Sequence, residues 1–200
     1  MTLTDGIITS SYPYRKDLST LPNNYSLAMK RLEQIERKLA RDPALAKQYQ
    51  EQFDDMLARG KMRLLSVPEK ESWPGAVQYL PHNYVLKPSS ASTPCRLIFD
   101  PSSRFKGQSV NDYWGRGPNL VKDSIGILIR FCEFPVALYG DIRKMYQTVM
   151  TTPKEWHLHR VLWRDLDTSR EPDVYIVVCN SFGSGPAGTL SRRVEDFRIS

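Results

Sequence analysis

The sequence predicts an α+β fold. Two consecutive stretches near the N-terminus carry apolar residues at helical spacing, and after Trp73-Pro74-Gly75 the pattern changes to short β-rich runs divided by turn residues. The order of those later runs, β, β, α, β, β, β, does not alternate as a doubly wound sheet requires, so helices and strands are expected to segregate.

Residues 1–24, rich in Ser, Thr, Pro and Tyr without periodicity, read as an irregular tail. From Tyr25, the positions Ala28, Met29, Leu32, Ile35 and Leu39 fall on one helical face, with Asn24 as the expected N-cap. Asp42-Pro43 supplies a second cap with proline at the first helical position, and Leu45, Tyr49, Phe53, Met56 and Leu57 form a second stripe ending near Gly60. These helices define a helical lead-in over 25–75, followed by a second unit over 76–200. Strands are expected at Tyr84–Leu86, Arg96–Phe99, Val136–Tyr139, His157–Trp163 and Val174–Cys179. Ser124–Phe131 reads as a helix packed on the sheet through Ile125, Leu128, Ile129 and Phe131. Leu190, Val194 and Phe197 predict a closing helix with Arg192 and Arg193 outward.

Composition narrows the function classes. Within 200 residues, 40% hydrophobic content suffices for a core of ordinary size, and 28 Lys+Arg against 22 Asp+Glu give a formal charge of +6. Such a balance favours polyanionic partners, nucleic acid first among them. Residues 81–165 hold most of the excess, 12 Lys and Arg against 7 Asp and Glu, in the same region as the turns and aromatics from which binding loops are built. Evenly solvated charge is the other reading, and it also covers Lys30, Arg31, Arg37, Lys38, Arg41 and Lys47 on the two helices. Cys95, Cys132 and Cys179 lie far apart with no CxxC, which indicates neither a disulfide framework nor a zinc site and fits a reducing, intracellular setting. The N-terminus lacks a secretory h-region, and no stretch approaches the ~20 apolar residues of a membrane span. An intracellular location, cytoplasmic or nuclear, is therefore expected.

Three segments carry candidate chemistry. Ala137–Tyr139 runs as an apolar strand into Gly140-Asp141, and a carboxylate at a strand end can hold a hard divalent cation such as magnesium. A solvated turn aspartate is the alternative. Gly183, Gly185 and Gly188 satisfy GxGxxG after a strand, but the 12 residues that follow hold no βαβ unit or ribose-binding acid, so a turn or a close backbone approach to a ligand is the better reading. The third segment, Tyr84–Pro88 with Arg96–Asp100, reads as a hairpin bearing Lys87 and Arg96, cations that could meet a phosphate. His157 and His159 share one face of an expected strand without a third metal ligand and are assigned to surface or packing.

Taken in order, the blocks YPYRKDLSTLPNNYSLAMKRLEQIERKL, YLPHNYVLKPSS, RLIFDPSSRFKGQSVNDYWGRGPNL, ILIRF, ALYGDIRKMYQTV, HLHRVLWR and FGSGPAGTLS make the sequence resemble a reverse transcriptase of the Bel/Pao class of LTR retrotransposons, over most of residues 12–191. The resemblance implies a partial right-hand polymerase, fingers and an incomplete palm, preceded by the helical pair. It implies that Asp141 is the first metal-binding carboxylate and that the Ile142 carbonyl shares the Mg2+ ion. By the same resemblance, Tyr146 is the bulky residue that excludes a 2′-hydroxyl, Arg96 grips the incoming triphosphate with Lys87 beside it, and Phe182 and Gly183 lie beneath the nucleotide near the template. The implied partners are an RNA or DNA template–primer and a deoxynucleoside triphosphate.

The family's palm continues past the glycine turn to a hairpin with two adjacent aspartates. The only adjacent pair here is Asp54-Asp55, expected on the solvated face of the second helix. Two magnesium ions held by about one protein carboxylate leave too little charge to organise phosphoryl transfer, so this polypeptide is expected not to polymerise DNA alone. A non-catalytic nucleic-acid-binding module derived from a retroelement is the alternative function. A palm without its later strands is also expected to leave the underside of Val174–Cys179 partly uncovered.

Overall fold

The computed structural model describes residues 1–87, 94–118, 120, 123–136, 138, 140 and 142–198, with side chains to residue 192. Strands β1 (Thr2–Thr4) and β2 (Ile7–Ser10) precede helices α1 (Tyr25–Leu39) and α2 (Pro43–Ala58). Strand β3 (Met62–Leu64), helix α3 (Val67–Ser72) and the strands β4 (His82–Leu86) and β5 (Cys95–Phe99) follow. Helix α4 (Ser124–Phe131), strand β6 (Val149–Thr151), helix α5 (Pro153–Trp156), strands β7 (Arg160–Trp163) and β8 (Asp173–Val177), and helix α6 (Ala187–Arg198) complete the order. The architecture is α+β.

The helical pair forms as its sequence predicts. Asp42 accepts a hydrogen bond from Leu45 N–H and Pro43 opens α2, while Arg37 and Lys38 sit in the last turn of α1, where the helix dipole favours cations. Asn24 does not cap α1 through its side chain. Its amide is spent elsewhere: Nδ2 donates to the Tyr79 carbonyl and Oδ1 accepts from Tyr79 N–H, both at 2.8 Å, pinning the start of the helix to the segment before β4.

Three small sheets organise the rest. β8 lies between β3 and β7, antiparallel to both. That central position explains why Ile176, Val177 and Cys179 are fully buried, against the expectation of a partly uncovered underside. The far side of β7 is partly protected as well, by Leu80 N–H donating to the Arg160 carbonyl at 2.7 Å and Arg160 N–H to the Gln78 carbonyl at 3.1 Å. β4 and β5 form the expected antiparallel hairpin, with Val85 opposite Arg96. The third sheet overturns the irregular tail: β1 pairs with β2, and β2 pairs in parallel with β6, Ile8 opposite Val149. The signal lay in Ile7 and Ile8, two β-branched residues just after Asp5-Gly6, a turn pair that takes positive φ at both positions.

The core joins both halves of the sequence. Phe53 of α2 stacks on Trp163 of β7 at 4.6 Å and 8°, and Tyr49 donates its hydroxyl to His82 Nδ1. His82 Nε2 lies 2.8 Å from the Leu162 carbonyl, which only accepts, so Nε2 carries the proton and Nδ1 accepts from Tyr49. Each such buried aromatic ring contributes about 1.5–3 kcal/mol.

Three further expectations change. The strand predicted over His157–Trp163 begins only at Arg160, because Thr152-Pro153 starts the short helix α5 and the chain turns through His157–His159. Both histidines are buried, His157 stacked on Trp73 at 4.0 Å. Helix α4 forms over the predicted residues but exposes Ile125, Leu128, Ile129 and Phe131, since no strand among the described residues packs over it. The strand expected at Val136–Tyr139 includes Ala137 and Tyr139, outside the described residues; Val136 and Leu138 are exposed and belong to no strand.

Candidate functional site

The site is built where three distant segments meet. A 3-10 turn, Met145–Thr148, leads into β6; β8 runs on through Cys179 to the turn at 181–185; and β5 delivers Phe99 beside them. β6 is tied to the segment after β8 by Thr151 N–H donating to the Val178 carbonyl at 2.9 Å and Asn180 N–H to the Val149 carbonyl at 2.8 Å. This register brings the Tyr146 ring within 4.1 Å of Phe182. Phe182 remains 55% exposed, so the aromatic pair presents a face to solvent. Behind it, Leu97, Ile98, Phe99, Gln147 and Ser181 line a narrow cleft of ≈ 10 Å³, room for about one water molecule.

Gly183 takes φ +90° and packs closely on the end of β5. A Cβ there would stand 3.1 Å from Pro101 Cδ and 3.2 Å from the Phe99 carbonyl. The positive φ and the crowding together require glycine. Asn111 holds the same turn, donating from Nδ2 to the Gly183 carbonyl and accepting at Oδ1 from Gly185 N–H, both at 2.8 Å. Gly188 sits in α6 with open space around it, so the GxGxxG pattern is a turn followed by a helix and not a phosphate cradle of three equivalent glycines.

The Tyr146 turn is fixed from the other side by α2. Asp55 receives Arg59 at 2.8 Å and Lys144 at 2.6 Å, and Arg59 Nη2 donates to Gln147 at 2.7 Å. Burial works against ionisation of Asp55, but the hydrogen bonds from Arg59 and Lys144 outweigh it and hold the carboxyl below its usual range. Asp55 is thus half-buried and structural, where the sequence placed it on a solvated face; the reason is the Lys144 ammonium, which arrives from 89 residues away. Lys144 itself has φ +54°, a left-handed turn that aims its backbone into the 3-10 segment.

Of the residues singled out from sequence, the structure brings Tyr146, Phe182 and Gly183 together. Arg96 and Lys87 lie on the two arms of the β4–β5 hairpin, whose pairing continues past the strands as Lys87 N–H donates to the Pro94 carbonyl at 2.7 Å. Both are exposed, and among the described residues neither makes a cation–π contact with Tyr146 or Phe182. Asp141 lies outside the described residues. The Ile142 carbonyl, assigned to a metal ion by resemblance, accepts from Met145 N–H at 3.2 Å and keeps one lone pair. Among the described residues, no three His, Cys, Asp or Glu side chains gather as a metal site, and no helix is long and apolar enough to cross a membrane.

Two positioning residues, Asn111 and Gln147, were missed. Both stand inside sequence blocks that carried the resemblance, but no spacing rule names an asparagine's partner 72 residues away. No protein-family model matches the chain, and no curated protein matches it.

Proposed function

We propose that this chain is the fingers and first part of the palm of a retrotransposon RNA-directed DNA polymerase, a nucleotidyltransferase fragment that does not extend a primer by itself. The observation that supports this reading is the contact between Tyr146 and Phe182, with Gly183 packed on the β5 end of the hairpin that bears Arg96. The resemblance assigns all of these residues to one nucleotide, and nothing in their spacing obliges them to meet.

On this reading the exposed face of the aromatic pair receives the sugar and base of a deoxynucleoside triphosphate. Tyr146 rejects a 2′-hydroxyl by clash, a specificity that depends on ring size. Arg96 offers a planar fork of donors to the triphosphate and Lys87 a point charge. Asp141 and the free lone pair of the Ile142 carbonyl would hold Mg2+, which when bound stabilises charge on the transferring phosphoryl group. The only adjacent aspartates in the sequence, Asp54 and Asp55, belong to α2, and Asp55 is engaged by Arg59 and Lys144. One carboxylate organises the ions too weakly for turnover.

The test is nucleotide competition on the full chain with a primer–template and Mg2+. The expected result is that a deoxynucleoside triphosphate binds at least roughly tenfold more tightly than its ribo counterpart, about 1.4 kcal/mol, and that Tyr146→Ala removes the difference. Equal binding of the two sugars by the unmodified chain overturns the reading.

A further inference from the structure

A cavity of ≈ 290 Å³, open on one side to solvent, lies between the C-terminal half of α1 and the loop that joins β7 to β8. Its volume is at the lower edge of the roughly 300–1,000 Å³ usual for small-molecule sites. Glu33, Glu36, Arg37 and Ala40 line it from α1 and its C-cap, Arg164 and Thr168 from the loop. None of them belongs to the candidate nucleotide site.

The loop's own polar groups are spent on holding its shape. Glu36 and Arg164, paired and buried, close the inner end of the cavity, and Arg164 Nη1 donates to the Arg170 carbonyl at 2.9 Å. Arg170 in turn reaches Asp173 at 2.6 Å and Asp165 at 3.0 Å, and Asp165 also accepts from Gln50 at 3.1 Å. Asp165 and Leu166 take φ of +53° and +62°, a left-handed conformation that is costly for residues with a Cβ. These bonds, and not local preference, therefore fix the wall of the cavity.

Two charges on the opposite wall do not pair. Glu33 and Arg37 are one turn apart on α1, the spacing at which a glutamate and a following cation ordinarily meet. Both are exposed, and among the described residues no ion pair or hydrogen bond joins them. After the hydrogen bond to Glu36, the charges of Glu33 and Glu171 help to raise Arg164 above its ordinary value, so Glu33 acts toward the cavity. A carboxylate and a guanidinium thus flank one cavity whose inner end is already balanced, and Ala40, with only a methyl group, takes little of the space.

We infer that this pocket binds a free α-amino acid. Its ammonium meets Glu33, and its carboxylate meets the planar fork of Arg37, whose paired donors suit that group. The two charges of an amino acid are joined through a single carbon, which matches two side chains that are neighbours on a helix surface. The Glu36–Arg164 pair has no net charge to offer, so an uncharged ligand side chain is favoured. The inference does not depend on the polymerase reading.

The experiment titrates the isotope-labelled full chain with L-leucine and with L-glutamine and reads backbone amide shifts by NMR. The expected result is saturable shifts at Glu33–Ala40 and Thr168, with a dissociation constant of about 1 mM or below for at least one of the two. The tighter ligand is then compared with its N-acetyl derivative, which lacks the ammonium, and its α-carboxamide, which lacks the carboxylate. Each derivative should bind at least about tenfold more weakly. Glu33→Gln and Arg37→Gln should each weaken the amino acid by a similar factor while the folded spectrum is kept, since neither side chain ties another part of the chain. Lys30→Gln, on α1 outside the pocket, should change nothing. Absence of saturable shifts with both amino acids, shifts centred away from the pocket, equal binding of either derivative, or undiminished binding in either pocket variant overturns the inference.

Discussion

Asn111 and Gly183 are joined across 72 residues of sequence, Nδ2 of the asparagine donating to the glycine carbonyl at 2.8 Å. The same side chain accepts from Gly185 N–H and donates to Ser102 Oγ at 2.8 Å. One amide therefore fixes the glycine turn, and with it Phe182, to the loop that follows β5. Asn111→Ala should cost about 1–3 kcal/mol, because the turn's polar groups lose partners in a half-buried place. A urea titration reads this as a lower midpoint at unchanged slope.

Gly183 and Gly188 should respond to alanine with opposite signs. At Gly183 the φ of +90° and the 3.2 Å approach to the Phe99 carbonyl make Gly183→Ala destabilising, by about 1–3 kcal/mol. At Gly188, inside α6 with nothing within 4 Å, Gly188→Ala should stabilise by about 0.5–1 kcal/mol. Thermal melts of the two variants give the comparison.

Glu36 and Arg164 form a bidentate pair, 2.7 Å at each oxygen, with side chains only 3% and 8% exposed. Glu36→Gln alone should cost about 3–5 kcal/mol by leaving the guanidinium buried beside a neutral amide. The double variant Glu36→Leu with Arg164→Met should recover most of that loss, since replacing both charges with apolar groups removes the desolvation penalty along with the attraction. A double-mutant cycle by urea unfolding measures the difference.

Acid should unfold the protein through its histidines before its carboxylates. Burial pushes His82 down to about 4 and His159 down to about 3, from a value near 6.5 in the unfolded chain. Above pH 6.5 both states are neutral and stability does not depend on these groups. Below it the unfolded chain takes up protons that the folded core excludes, so stability falls with pH by up to about 1.4 kcal/mol per unit for each buried imidazole. Glu69, held at about 2 by hydrogen bonds from Arg63 and Ser66, enters only below its usual range near 4.5, so the window from pH 6.5 to 5 isolates the histidines. His159 makes no ring hydrogen bond and lies edge-on to Tyr12 and Trp114. His159→Phe should accordingly lower the pH dependence in that window, and urea midpoints at pH 6.5 and 5 check it.

Helices α1 and α2, the β4–β5 hairpin and the strand β8 were legible because each is dictated locally: by apolar spacing and the Asp42-Pro43 cap, by the run Arg96–Phe99, by the apolar stretch from Val174. The β2–β6 pairing was not, because its partners are far apart in sequence and β2 spans only Ile7–Ser10. His157 and His159 were placed on a strand because His157–Trp163 was read as one strand, whereas the chain turns after α5 ends at Trp156 and β7 begins only at Arg160. At the site, Tyr146, Phe182 and Gly183 could be named through resemblance, whereas Asp55, Asn111 and Gln147 act through partners that only folding supplies.

The measurement that bears most directly on the nucleotide site uses Mn2+ in place of Mg2+, with a deoxynucleoside triphosphate bound to the full chain, and reads paramagnetic broadening of backbone amides by NMR. The account predicts that resonances of Ile142, Tyr146, Phe182 and Arg96 broaden together, and that Asp141→Asn abolishes the effect while the fold is kept. Broadening centred elsewhere, or undiminished in Asp141→Asn, contradicts it.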